Sequence, residues 1–233
     1  VYEMSSFQLF DIQKSPHVAV CLMVTEDHLD WHKDLKEYHE AKRNIFAHQV
    51  AEDVAIYFSD NEVSKDLASS SKAKTKFSYG ASGDVYIKEG NIIAFNQVVA
   101  AATDVKLPGK HNLENVCAAI AAVWTYTKDT NAIKKVLSSF SGLPYHIEHI
   151  RELDGVDYFN DSFSTNPSAA IAAIESFDQP QILFLGGFDK NVNFNPLAEI
   201  IKKHDIRKII TFAQTGERIK DVLIDHGIEN VEY

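Results

Sequence analysis

From Val18 to Val24 no polar side chain interrupts the chain, and Pro16 before it and Thr25-Glu26-Asp27 after it mark the run off. A short segment that is apolar at every position is the pattern of a strand covered on both faces, as in a parallel sheet. Parallel strands cannot be joined by tight turns and need crossover connections, usually helical. The run therefore commits the chain to an α/β architecture, and the following residues supply the helix. From Asp34 to Gln49 the positions Leu35, Tyr38, Lys42, Ile45 and Gln49 recur every three or four residues and define one stripe.

The same alternation continues. A strand is expected at Asp53 to Phe58, a short helix opened by Asp60 or Asn61, and a strand near Lys76 to Tyr79. Asp84 to Lys88 and Ile92 to Asn96, joined by Glu89-Gly90-Asn91, read as a hairpin. Residues 60 to 105 otherwise read as scaffold. Helices are expected from Asn112 to Thr127 and from Asn131 to Ser139. Ser141-Gly142-Leu143-Pro144 breaks the pattern, and a domain boundary is expected there, giving units 1–141 and 142–233. In the second unit Asp154-Gly155 is a two-residue turn between strands at 146–153 and 156–160. Helices at 167–177, 196–204 and 216–227 then alternate with strands at 181–185 and 207–212 and a strand beginning at Val231, a doubly wound order.

At 233 residues, with 45% apolar and 24% charged side chains, the chain has a globular composition. The longest apolar run, Val116 to Trp124, is about half the roughly 20 residues that a membrane-spanning helix needs, so no membrane partner is expected. A net charge of −10 without a lysine or arginine cluster argues against nucleic acid. Cys21 and Cys117 each sit in an apolar run and read as buried free thiols, which points to the cytoplasm. Val1 to Met4 looks like the end of a strand whose beginning is missing, so the chain reads as a fragment.

Chemistry-bearing residues gather where strands end. Asp27-His28-Leu29-Asp30-Trp31-His32 offers carboxylates and imidazoles without thiols, a set that suits magnesium or manganese, or else is a solvated loop. Glu3, read as ending another strand, falls at the same sheet edge. Lys42 lies on the apolar stripe, where a lysine either extends its amine to water or is desolvated. Desolvation favours a neutral lysine amine, which reacts with carbon dioxide to give a carbamate, an anionic metal ligand. Asn112 and Asn115, three apart on a helix, share one side and suit an adenine edge, or simply cap the helix. Asn160-Asp161-Ser162-Phe163-Ser164-Thr165-Asn166-Pro167 leads from a strand into a helix, either as an anion site or as an ordinary cap. Gly186-Gly187 followed by Asp189-Lys190 puts a lysine at the mouth of the second sheet.

Taken in order, Glu3-Met4-Ser5-Ser6-Phe7-Gln8-Leu9, Thr25 to Asp30, Tyr38 to Lys42, His111 to Asn115, Gly142-Leu143-Pro144, Asn160-Asp161-Ser162, Thr165-Asn166-Pro167 and Leu185 to Lys190 resemble the Mur ligase family over essentially the whole chain. The resemblance implies the distal half of a P-loop-type central ATPase domain followed by a Rossmann-like, glutamate-binding domain. It implies an ATP-dependent ligase of peptidoglycan synthesis that adds glutamate to UDP-N-acetylmuramoyl-L-alanine through an acyl phosphate, as a cytoplasmic monomer. The D-glutamate branch fits best. An L-glutamate branch, and a sibling that only binds nucleotide, remain open beside it, as does a metal-dependent phosphohydrolase.

By matched position, the resemblance implies that Glu3, His28 and a carbamylated Lys42 hold Mg2+. It implies that Asn112, Asn115 and Asp161 hold ATP, and that Thr165 and Lys190 bind the incoming glutamate. Two positions depart from the family pattern. His146, after Tyr145, stands where an arginine is usual, and Phe163 stands where many members have lysine. No Gly-x-x-x-x-Gly-Lys-Ser/Thr loop occurs in these residues, and the resemblance places it upstream of Glu3. The 233 residues alone are accordingly expected to be inactive.

Overall fold

In the computed structural model, which describes residues 1–28 and 31–233, the apolar run forms β1 (Val18–Cys21), stopping short of Val24. Its two faces are both covered. Ala19 and Cys21 pack with Tyr38 and Phe46 of α2 (Leu35–Ala47), while Val18 and Val20 lie against the cluster that contains Val116 and Ile120. β2 (Val54–Phe58) pairs with β1 in parallel, Val18 opposite Val54, and divides its side chains in the same way. α3 (Glu62–Ser69), capped by Asn61, connects β2 to the parallel β3 (Thr75–Tyr79).

Five strands of this sheet follow the expected pattern, and one was not foreseen. β4 (Val85–Lys88) and β5 (Asn91–Ala94) form the hairpin, and β6 (Gln97–Ala101) pairs antiparallel with β5 to complete the sheet order β1-β2-β3-β4-β5-β6. The turn into β6 uses Phe95 and Asn96, both with positive φ (48° and 66°). Such a turn favours Asn-Gly, and a phenylalanine in its first position hides it from a sequence reading. α4 (Lys110–Val123) and α5 (Thr130–Ser139) complete this part of the chain.

Val1 to Met4 take no regular structure, contrary to the expected strand. They lead instead into α1 (Ser6–Leu9), whose start is fixed by Ser5 and Gln8. Gln8 N–H bonds Ser5 Oγ at 3.3 Å while Gln8 Oε1 accepts from Ser5 N–H at 2.9 Å, a capping box. The polar spacing that begins a helix outweighs the strand propensity of the two leading residues.

The chain divides into two units, Val1–Lys106 with Asn112–Phe140, and Leu107–His111 with Ser141–Tyr233. The second unit opens with the hairpin β7 (Glu148–Leu153) and β8 (Val156–Asn160), turning at Asp154-Gly155. α6 (Pro167–Ile174), β9 (Gln181–Gly186), α7 (Asn195–Ile201), β10 (Ile206–Phe212), α8 (Gly216–Asp225) and β11 (Val231–Glu232) then alternate, with β9, β10 and β11 parallel in the order β11-β10-β9. Ile174, Leu197, Ile201, Ile209, Ile219 and Leu223 form its core. Cys21 and Cys117 are free and buried, as expected. Among the described residues no helix is long and apolar enough to cross a membrane.

Candidate active site

Asp34 caps α2 by accepting the Glu37 N–H at 2.9 Å, and the helix then sets Tyr38 and Lys42 one turn apart on the same side. Tyr38 is buried, and the Lys42 ammonium sits 5.2 Å from its ring centroid, a cation–π contact. His28 approaches the same ring, with centroids 6.5 Å apart. Its backbone is left-handed (φ 54°), its N–H bonds Asp27 Oδ1 at 2.8 Å, and its Nε2 lies 3.7 Å from Asp27 Oδ2. Burial first, then the negative charge of Asp27 and of Cys21, pushes the Tyr38 phenol up to about 12. His28 and Lys42, distant in sequence, are thus brought to one aromatic ring.

Glu3 lies exposed in the irregular segment before α1, and its segment reaches the others through Phe7, whose ring meets that of His28 edge-on at 4.8 Å. Among the described residues no three His, Cys, Asp or Glu side chains converge. Asp27, His28 and His32, the described donors of the run from Asp27 to His32, thus do not gather at one point. His32 turns inward, and Leu29 and Asp30 lie outside the described residues. A magnesium ion prefers anionic oxygens. Lys42 is half-buried and no carboxylate pairs with it among the described residues, so its amine rests against Tyr38. As an ammonium it would repel a divalent cation. As a carbamate it would instead offer an anionic oxygen of the kind that such a cation takes.

The two asparagines share a side of α4, where Asn115 Nδ2 donates to Asn112 Oδ1 at 3.4 Å. The turn before them needs glycine. Gly109 has φ +93°, and a Cβ there would lie 2.3 Å from Ser176 Oγ.

In the second unit Asp161 is fixed by two donors, the Ile147 N–H at 2.9 Å to Oδ1 and the Ser164 hydroxyl to Oδ2. Asn166 caps α6 by accepting the Ala169 N–H, with Pro167 in the first turn. The ordinary cap therefore belongs to Asn166, and Thr165 is left exposed beside it. The two positions that depart from the family pattern meet: His146 and Phe163 stack with centroids 4.1 Å apart. Tyr145 and the β-branched Ile147, on either side of His146, hold positive φ (66° and 46°), which marks this loop as strained.

Lys190 is exposed on the loop after β9. Gly186 serves packing, because a Cβ there would lie 2.1 Å from the Phe212 carbonyl oxygen on β10. Asp189 holds the loop by accepting from the Asn191 N–H and from Arg218 Nη2, each at 2.7 Å, while Arg218 lies over the Phe194 ring at 4.7 Å. Arg218 was not foreseen. It meets Asp189 from the first turn of α8, and no local pattern announces a contact between elements so far apart in sequence.

Residues 1–123 match the Mur ligase middle domain. The chain is 38% identical over 224 residues to the UDP-N-acetylmuramoylalanine--D-glutamate ligase of Clostridium perfringens, covering 94% of this chain and 48% of that protein. It is 39% identical over 238 residues to the protein of the same name from Clostridioides difficile, covering 99% and 52%. The chain thus spans about half the length of the curated relatives it matches. Among solved structures, MurF from Acinetobacter baumannii superposes with a TM-score of 0.76 at 18% identity, over 97% of this chain and 52% of that one, a likeness of fold.

Proposed function

The chain belongs to the Mur ligase family, and on that premise we propose that the full-length protein is an ATP-dependent ligase joining D-glutamate to UDP-N-acetylmuramoyl-L-alanine. Identity of 38% and 39% to D-glutamate ligases along almost the whole chain carries this reading. Residues 1–141 would be the distal part of the central, ATP-binding domain and 142–233 part of the glutamate-binding domain. The protein would act in the cytoplasm, as a monomer, on small molecules.

In this reading ATP phosphorylates the alanyl carboxylate, releasing ADP, and the glutamate amine displaces phosphate from the acyl phosphate to leave an amide. Such transfers depend mainly on positioning and on neutralising charge. Glu3, His28 and Lys42 as its carbamate would hold Mg2+, which supplies that neutralisation. Asn112 and Asn115 present amides suited to an adenine edge. Asp161, oriented by Ile147 and Ser164, keeps further lone pairs on each oxygen for ribose hydroxyls. Thr165 offers a hydroxyl, and Lys190 a point charge for a carboxylate of the incoming glutamate.

The contact of His28 and Lys42 with the one Tyr38 ring supports the metal reading. The test is Lys42→Ala in the full-length protein. Ligation should fall by a factor of about 100 or more, as the loss of a group that neutralises transferring phosphate requires, and added bicarbonate should stimulate the native protein only. Ligation that survives the substitution and ignores bicarbonate would remove Lys42 from the site.

A further inference from the structure

His32 occupies a place that packing alone does not explain. The residue is 2% exposed, and its Nε2 lies 2.9 Å from the Ser6 hydroxyl. Among the described residues its Nδ1 has no hydrogen-bond partner, with the Glu37 carboxylate 3.6 Å away and already accepting the Lys33 N–H. Burying an imidazole with one nitrogen unsatisfied is costly, and a phenylalanine would fill the same space without that cost.

Contacts of His32 reach all three segments that carry the candidate ligands Glu3, His28 and Lys42. The Ser6 hydroxyl belongs to the capped turn that follows Glu3. The His32 N–H donates to the carbonyl of His28 at 3.0 Å. Its ring meets Tyr38, on which Lys42 rests, edge-on at 5.4 Å. Phe7 stacks parallel to the imidazole, with an interplanar angle of 3°, and closes it from solvent.

We propose that His32 is a positioning residue that locks the segments of Glu3, His28 and Lys42 together so that their donors can share one divalent cation. The proposal rests on the metal reading given above. Groups behind metal ligands orient them, and losing one typically weakens metal binding about 10- to 100-fold.

The test uses the full-length protein with three substitutions. His32→Phe keeps the aromatic volume and removes Nε2, His32→Gln restores a polar group toward Ser6, and Ser6→Ala removes the partner. Two readings are taken besides the melting temperature: the Mg2+ concentration giving half-maximal ATP turnover, and the 13C carbamate resonance after addition of 13C-bicarbonate. His32→Phe should raise the Mg2+ requirement about tenfold or more and weaken the resonance. His32→Gln should recover most of both, and Ser6→Ala should reproduce the shift. A folded His32→Phe with native Mg2+ dependence and a native resonance would overturn the proposal. If His32→Phe does not fold, Ser6→Ala decides on the same two readings. A native protein with no carbamate resonance, and with Lys42→Ala silent in ligation, would overturn the metal reading itself.

Discussion

Asp60 shows how one carboxylate can tie a loop to a helix start without being buried. Its Oδ2 accepts the Ala81 N–H at 2.7 Å, and its Oδ1 accepts from the Ser59 hydroxyl at 3.1 Å. The Ala81 bond holds its carboxyl below the ordinary carboxylate range, with Ser59 and Ser82 adding to the effect and partial burial opposing it. A folded-state value below the unfolded one means that the folded chain binds fewer protons near pH 4. The stabilisation is therefore present above the unfolded value of about 3.9 and is lost as the pH falls through the lower, folded value. Asp60→Asn should lower the melting temperature at pH 7, by a difference that shrinks as the pH is taken below about 4. A difference independent of pH would assign the loop's stability elsewhere. At this scale the sequence was legible where spacing alone decides, as for Asn112 with Asn115 and Tyr38 with Lys42. It was silent on which imidazole of the run from Asp27 to His32 turns inward, because that depends on Ser6, Phe7 and Tyr38 arriving from elsewhere.

Elements are joined by a small number of buried polar side chains, of which Gln49 does most. It follows α2 and is 1% exposed. Its Nε2 donates to the Pro16 carbonyl at 3.1 Å and to the Val54 carbonyl at 2.9 Å, and its Oε1 accepts the Ser71 hydroxyl at 2.6 Å. The residue thereby fastens the start of β2, the approach to β1 and the segment after α3. Gln49→Leu keeps the volume but strands three buried polar groups, each costing about 1–3 kcal/mol when unpaired. The urea midpoint should show a loss of about 2–4 kcal/mol after relaxation. A loss below about 0.5 kcal/mol would mean that water replaces the amide. Spacing placed Gln49 on one stripe with Leu35, Tyr38, Lys42 and Ile45, while its burial and its partners were set by tertiary packing. Strands and helices were legible through their periods. β6 escaped because Phe95 masks its turn, and the strand expected at Val1 to Met4 gave way to the Ser5 cap.

Over the whole molecule, both units follow one plan, in which polar side chains collect after strands and at helix starts while the cores lie between layers. In the first unit that plan brings His28 and Lys42 to Tyr38. In the second it leaves Thr165 and Lys190 exposed after β8 and β9, with Asp161 held rigid by its neighbours. The alternation of strands and helices was readable from sequence because each element is long enough to show its period. The braces around the candidate site, Arg218 on Asp189 and His146 on Phe163, were not, since each joins residues that no local pattern connects. Phe163 stands where many members of the family have lysine, which makes the choice of amino acid the property to test.

The most direct measurement is therefore ligation by the full-length protein, with ATP, Mg2+ and UDP-N-acetylmuramoyl-L-alanine, offered D-glutamate and L-glutamate separately. ADP and amide should form in equal amounts with D-glutamate, with little product from L-glutamate. Product with L-glutamate alone would contradict the assigned stereochemistry, and ATP hydrolysis without amide from either would contradict the ligase reading.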